Sequence, residues 1–200
     1  MISTIIAFLV LLNPFALFLY LGPIMKDLSS QDFMRLLIKA TFISFVISVI
    51  FLFAGNFLFD NVLQIRFESF RIFGGIILFS FAYLFIVKGN QAIINMKEDL
   101  DDLASEIALP FMIGAGTIAL TILMSKQMNF SLGIISLIII FSLNHGIIVL
   151  LKIIRDSIDK KRFRIAFDKN LGILLRINGF FIGAIGINMI VTGISVLFFS

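Results

Sequence analysis

The sequence predicts an all-α membrane protein: six transmembrane helices arranged as two inverted three-helix repeats, with the first and fourth helices broken. Three observations lead there. The first is composition, with 60% hydrophobic residues and a mean hydropathy of +1.12, far more apolar surface than a soluble domain of this length needs. The second is patterning: the apolar residues gather into runs long enough to cross a bilayer, and the charges fall between them. The third is that two of the runs carry backbone-breaking residues at matching places in the two halves of the chain.

The predicted spans are Ile2–Met25, Ile38–Phe59, Ile72–Val87, Ile107–Met124, Leu132–Leu151 and Ile173–Phe199. In the first, Asn13-Pro14 falls at the midpoint. Proline lacks an N–H and its ring clashes with the carbonyl four residues back, and the residue before it is pushed out of the helical region. Backbone freed at that depth survives only where protein or a wet cavity covers it. The fourth run is interrupted by Gly114 and Gly116. Two connections are long and charged. Lys88–Glu106 holds Glu98, Asp99, Asp101, Asp102 and Glu106 and reads as a solvated amphipathic segment; Lys152–Gly172 is strongly basic.

Thirteen Lys and Arg flank the first, third and fifth connections, against Arg66, Arg71 and Lys126 on the other side. The positive-inside rule then places the odd connections in the cytoplasm and both termini outside, in a cell inner (plasma) membrane. Residues 1–10 lack a basic start, so no cleavable signal peptide is expected. The formal charge of +4 is no nucleic-acid signal, because the basic residues border membrane segments. There is no cysteine, which excludes disulfides and thiolate metal sites.

An internal echo divides the chain at residues 1–97 and 98–200. Asn13-Pro14-Phe15 is answered by Leu109-Pro110-Phe111, and the stretch from Phe70 to Ile77 by that from Leu175 to Ile182. Three spans is an odd number, so the second half enters from the opposite side. The Asn-Pro of the first span, F-R-I-x-G-G-I-I-L-F from Phe70, L-P-x-x-x-G-x-G-x-I from Leu109 and R-I-x-G-x-x-I-G-x-I-G-x-x-M-I-x-x-G-I from Arg176 together resemble the MarC family over almost the whole chain. That resemblance implies transport of small neutral amino acids such as glycine and alanine, coupled to protons, with two broken helices facing each other around the substrate. One departure stands out. Where the family's first span has glycine, asparagine and a second proline after Asn-Pro, this chain has Ala16, Leu17 and Leu19, whereas Gly114-Ala115-Gly116-Thr117 keeps the family's small-residue pattern.

The candidate substrate-binding residues are therefore Asn13, Pro14, Phe15, Ala16, Gly114, Ala115, Gly116 and Thr117. Each has a structural alternative. The Asn13-Pro14 break is either a packing kink or an opened turn whose N–H groups meet a carboxylate. Pro110 sits where a helix's first turn tolerates proline. Gly114 and Gly116 either free the backbone or let helices approach, and Thr117 either meets a ligand or bonds to its own helix. His145, beside Asn144 in the fifth span, is the candidate for proton coupling, or else a neutral side chain bonded across helices. Arg71 and Arg176 read as snorkelling arginines or ties to loop carbonyls. Gly74-Gly75 and Gly179, Gly183 and Gly186 read as packing faces.

The expected function is a secondary transporter, by uptake or export, of a small zwitterionic solute. Its expected partners are the lipid bilayer, that solute and further copies of the chain, with no nucleic acid, metal or cofactor. No nucleophile–base set appears, so no enzyme is expected. The alternative is a non-transporting membrane scaffold or partner subunit that keeps the same fold.

Overall fold

The computed structural model describes residues 2–22, 25, 28–89, 108 and 112–199. Among these every regular element is a helix: α1 (Ile2–Leu12), α2 (Pro14–Tyr20), α3 (Ser30–Phe57), α4 (Phe67–Lys88), α5 (Ala115–Gln127), α6 (Phe130–Asp156) and α7 (Lys161–Phe199). Among the described residues five stretches are long and apolar enough to cross a membrane: Ile2–Tyr20, Ser30–Gly55, Phe67–Lys88, Phe130–Asp156 and Lys161–Phe199. Of the fourth predicted span, residues 108 and 112–124 are described, and most of them lie in α5, 13 residues long. Its expected beginning and the acidic segment before it lie outside the described residues.

The helix ends follow from local chemistry. Ser29 caps α3, its hydroxyl accepting from the Asp32 N–H at 3.1 Å and donating to the Asp32 carboxylate at 2.6 Å. Asn129 caps α6 by accepting from the Leu132 N–H at 2.9 Å. A π-helical turn, Leu58–Leu63, continues α3 and ends on Gln64 in the left-handed region. Gly89 closes α4 at φ 56°.

Several predicted boundaries move, the second span among them, whose helix starts at Ser30 rather than Ile38. The basic stretch Lys152–Gly172 is not a loop. Lys152–Asp156 completes α6, and Lys161–Gly172 opens α7, leaving a short turn between them. Hydropathy reports partition into lipid, and Lys and Arg are good helix formers, so a helix can run on past the bilayer edge. At 39 residues α7 is about 58 Å long by helix rise, roughly twice the hydrocarbon thickness. The protruding turns are held by Arg155, whose guanidinium donates to both Asp168 carboxylate oxygens at 2.9 and 3.0 Å. Lys152 ties α6 to the start of α3 through the Ser30 hydroxyl at 3.0 Å, with Asp156 as its ion-pair partner. The third span, for its part, runs from Phe67 rather than Ile72.

Inside, α1, α2, α3 and α6 share one apolar cluster built around Phe8, Leu12, Phe18, Phe33 and Phe141. A second cluster, with Leu78, Ala82, Ile122, Ile182 and Met189, joins α4, α5 and α7. The longest seam is between α4 and α7. A Cβ on Gly75 would lie 2.5 Å from the Gly186 carbonyl oxygen, and one on Gly186 would lie 2.8 Å from the Gly75 carbonyl oxygen. The predicted glycine faces thus pack against each other, backbone to backbone. Large apolar side chains such as Phe42, Phe53, Phe73, Phe180 and Phe181 are exposed on the outside, where lipid would meet them.

Candidate functional site

The first span breaks where the sequence places the break. Asn13 sits at φ 46°, ψ 68° between α1 and α2, a left-handed conformation that asparagine tolerates better than most residues. Its N–H still reaches the Leu9 carbonyl at 3.0 Å, and its own carbonyl takes the Leu17 N–H at 3.1 Å. Its Oδ1 accepts from the Ala16 N–H at 3.1 Å, which makes it the cap of α2. Pro14 has no N–H to give the Val10 carbonyl. Asn178 of α7 makes up the loss, donating through Nδ2 to that carbonyl at 3.1 Å.

What remains is polar and buried. No backbone bond crosses the break from the Phe15 N–H, or to the carbonyls of Leu11 and Leu12, among the described residues. Asn13 is 3% exposed and its Nδ2 has no partner among the described residues. Pro14 and Ala16 are buried, and Phe15 is half-buried.

The fourth span opens at Gly114, whose extended backbone (φ −124°, ψ 177°) precedes α5. Thr117 is turned onto its own helix start: its Oγ1 accepts from the Gly114 N–H at 2.9 Å and donates to the Gly114 carbonyl at 3.0 Å. Glycine has no side chain to cap the N–H groups of Ala115, Gly116 and Thr117, the donors that a first helical turn leaves open. Gly116 also allows close approach, since a Cβ there would lie 2.6 Å from Leu78 Cδ1 on α4. Leu109, Pro110 and Phe111 lie outside the described residues. Leu12 and Leu17, which flank the first break, and Met112 and Ile113, which precede the second, belong to one buried cluster.

Sequence reading passed over Asn144 as a mere neighbour of His145. It is fully buried, and neither Nδ2 nor Oδ1 has a partner among the described residues. The signal was present: a polar amide inside a Leu- and Ile-rich span needs a partner or a role. Asn144 lies one turn beyond Phe141, whose ring meets that of Phe8 at 6.2 Å edge-on. Asn13 lies five residues beyond Phe8, about one and a half turns. His145 points elsewhere. It is half-buried, with Nδ1 3.4 Å from Thr41 Oγ1, and lines a groove of about 370 Å³ formed by α3 and α6.

The sequence profile of the MarC family, described as integral membrane proteins, matches residues 1–198. This chain belongs to the MarC family. Among its relatives are two UPF0056 membrane proteins. The one from Pyrococcus horikoshii is 23% identical over 193 residues, covering 96% of this chain and 92% of the relative. The one from Aquifex aeolicus is 23% identical over 200 residues, covering 96% and 91%. A third, from Buchnera aphidicola, is 26% identical over 126 residues, covering 63% and 64%. No solved structure matches the chain.

In this MarC-family chain the departures in the first-span motif fill space. Leu17 is fully buried in the apolar cluster and Ala16 is buried beside it. The paired arginines differ in role. Arg176 donates through Nη1 to the Ile86 carbonyl at 3.1 Å, tying α7 to the end of α4. Its guanidinium lies against Gly89, where any Cβ would be 2.9 Å away. Arg71 keeps a buried Nε without a partner among the described residues.

Proposed function

We propose that this chain is a secondary transporter of small neutral amino acids or similar small solutes, coupled to protons, and not an enzyme. The observation that carries the reading is the break at Asn13-Pro14, where a buried amide nitrogen has no partner, together with the unpartnered amide of Asn144 on the helix packed against α1. Buried polar groups without partners are costly, and a ligand or water that satisfies them supplies the reason for keeping them. A zwitterion suits the parts. Its carboxylate would meet the open N–H groups at the start of α5 and that of Phe15. Its ammonium would meet the carbonyls of Leu11 and Leu12 and the Asn144 Oδ1.

The architecture in this proposal is six spans in two inverted repeats, 1–97 and 98–200. In support of it, exchanging α1 and α2 with α5, α3 with α6 and α4 with α7 carries the main helix contacts onto one another: α3–α5 onto α6 with α1 and α2, and α4–α5 onto α7 with α1 and α2. Rocking of one half on the other would then expose the breaks to each side in turn. The proposed setting is the plasma membrane, with both termini outside.

Flux of labelled glycine and alanine into proteoliposomes, with and without a pH gradient, tests the proposal. Wild type is expected to accumulate solute under the gradient. Asn144→Leu, which removes the buried amide at similar volume, is expected to abolish flux while the protein stays folded. Full activity in that variant would overturn the site. The buried Leu17, at a position where the family resemblance leads one to expect asparagine, favours a second reading as a non-transporting scaffold. Absence of flux across a panel of small amino acids would decide for it.

A further inference from the structure

A second cavity, of about 890 Å³, opens where α4 ends and the protruding part of α7 passes it, lined by Val87, Lys88, Ile165, Lys169, Ile173 and Arg176, together with Asp168 and Gly172. Its chemistry differs from that of the breaks. Three cations face it against one carboxylate, and both oxygens of that carboxylate are already taken by Arg155. Lys88 and Lys169 are exposed and form no ion pair among the described residues. Arg176, with one nitrogen on the Ile86 carbonyl and its guanidinium against Gly89, is also part of the lining. Beside these charges Val87, Ile165 and Ile173 are each more than half exposed. Cations at the rim and bare aliphatic side chains next to them match a molecule with an anionic head and hydrocarbon tails. A soluble anion would leave the aliphatic part uncovered.

We propose that this cavity is a binding site for the phosphate headgroup of an anionic membrane lipid, with Lys88, Lys169 and Arg176 on the phosphate and the acyl chains along Val87 and Ile173, on the membrane side of it. The site does not depend on the chain being a transporter. A lipid seated there would bridge α4 and α7 at the end where, among the described residues, Arg176 ties them by a side-chain hydrogen bond.

The test uses the full chain reconstituted in mixed bilayers of phosphatidylcholine and phosphatidylglycerol, with spin-labelled versions of each lipid reporting the motionally restricted fraction. Wild type is expected to hold phosphatidylglycerol about fivefold or more over phosphatidylcholine, as expected when each lysine near the surface contributes at least that factor. Lys88→Gln with Lys169→Gln leaves the Arg176–Ile86 tie intact and is expected to remove most of the preference. Lys160→Gln with Lys161→Gln, two lysines near the same end that do not line the cavity, is expected to leave it unchanged. No preference in wild type, or equal loss in both double variants, would overturn the proposal in favour of diffuse charge attraction. Inorganic phosphate at constant ionic strength is expected not to displace the labelled lipid. Displacement would assign the cavity to soluble phosphate and overturn the lipid as its ligand.

Discussion

Asn13 does three things at once: it takes the left-handed conformation, caps α2 through Oδ1 and buries an unpaired Nδ2. Substitutions separate these roles. Asn13→Gly keeps the conformation and loses the cap, whereas Asn13→Ala loses the cap and adds a left-handed strain of about 1–2 kcal/mol. Thermal unfolding in detergent should therefore rank stability as wild type, then glycine, then alanine. Equal values for the last two would mean that the turn relaxes to a right-handed one. Asn178 answers a loss created by Pro14, so the two residues should be coupled. Asn178→Ala is expected to cost about 0.5–2 kcal/mol in wild type and clearly less in a Pro14→Ala background, where residue 14 regains an N–H for the Val10 carbonyl. A double-mutant cycle with no coupling would show that the Val10 carbonyl does not need this donor.

At the level of elements, the α4–α7 seam depends on glycine for close approach. At Gly75 and Gly186 an added Cβ would meet backbone atoms, which cannot swing aside, whereas at Gly183 it would meet only the Ala82 methyl at 3.3 Å and at Gly146 nothing within 4 Å. Gly75→Ala should thus destabilise by about 1–3 kcal/mol, Gly183→Ala by less, and Gly146→Ala by no more than about 0.5 kcal/mol. Denaturation midpoints of the three variants check that order. The seam was legible in sequence, because glycines at helical spacing in two apolar runs point to facing surfaces. The start of α7 was not. Charge told where the bilayer ends, and nothing local told that the helix continues to Lys161, because that extension rests on Arg155 meeting Asp168 from another helix.

For the whole molecule, orientation is the next quantity to fix, and a chain without cysteine makes it direct. A membrane-impermeant maleimide applied to spheroplasts is expected to label Ser3→Cys and leave Lys161→Cys unlabelled until the membrane is permeabilised. The reverse pattern would invert the proposed topology. How the site was read follows from the same scale. Asn13-Pro14 and Gly114-Ala115-Gly116-Thr117 announce interrupted helices because proline and glycine act on their own backbone. Which polar groups stay unsatisfied could not be read there. Thr117 turned out to bond its own helix start, His145 to face a groove between α3 and α6, and Asn144 to carry the unpaired amide.

The sequence by itself determined that this is a helical membrane protein, where its backbone breaks and which glycines press helices together, since hydropathy, proline chemistry and the absence of a side chain are local properties. Tertiary structure alone decided that Asn178 repairs the carbonyl Pro14 orphans, that Arg176 ties α7 to the end of α4 and that Asn144 is left wanting a partner among the described residues. Each of those depends on which groups from distant parts of the chain arrive within about 3 Å of one another, the reach of a hydrogen bond.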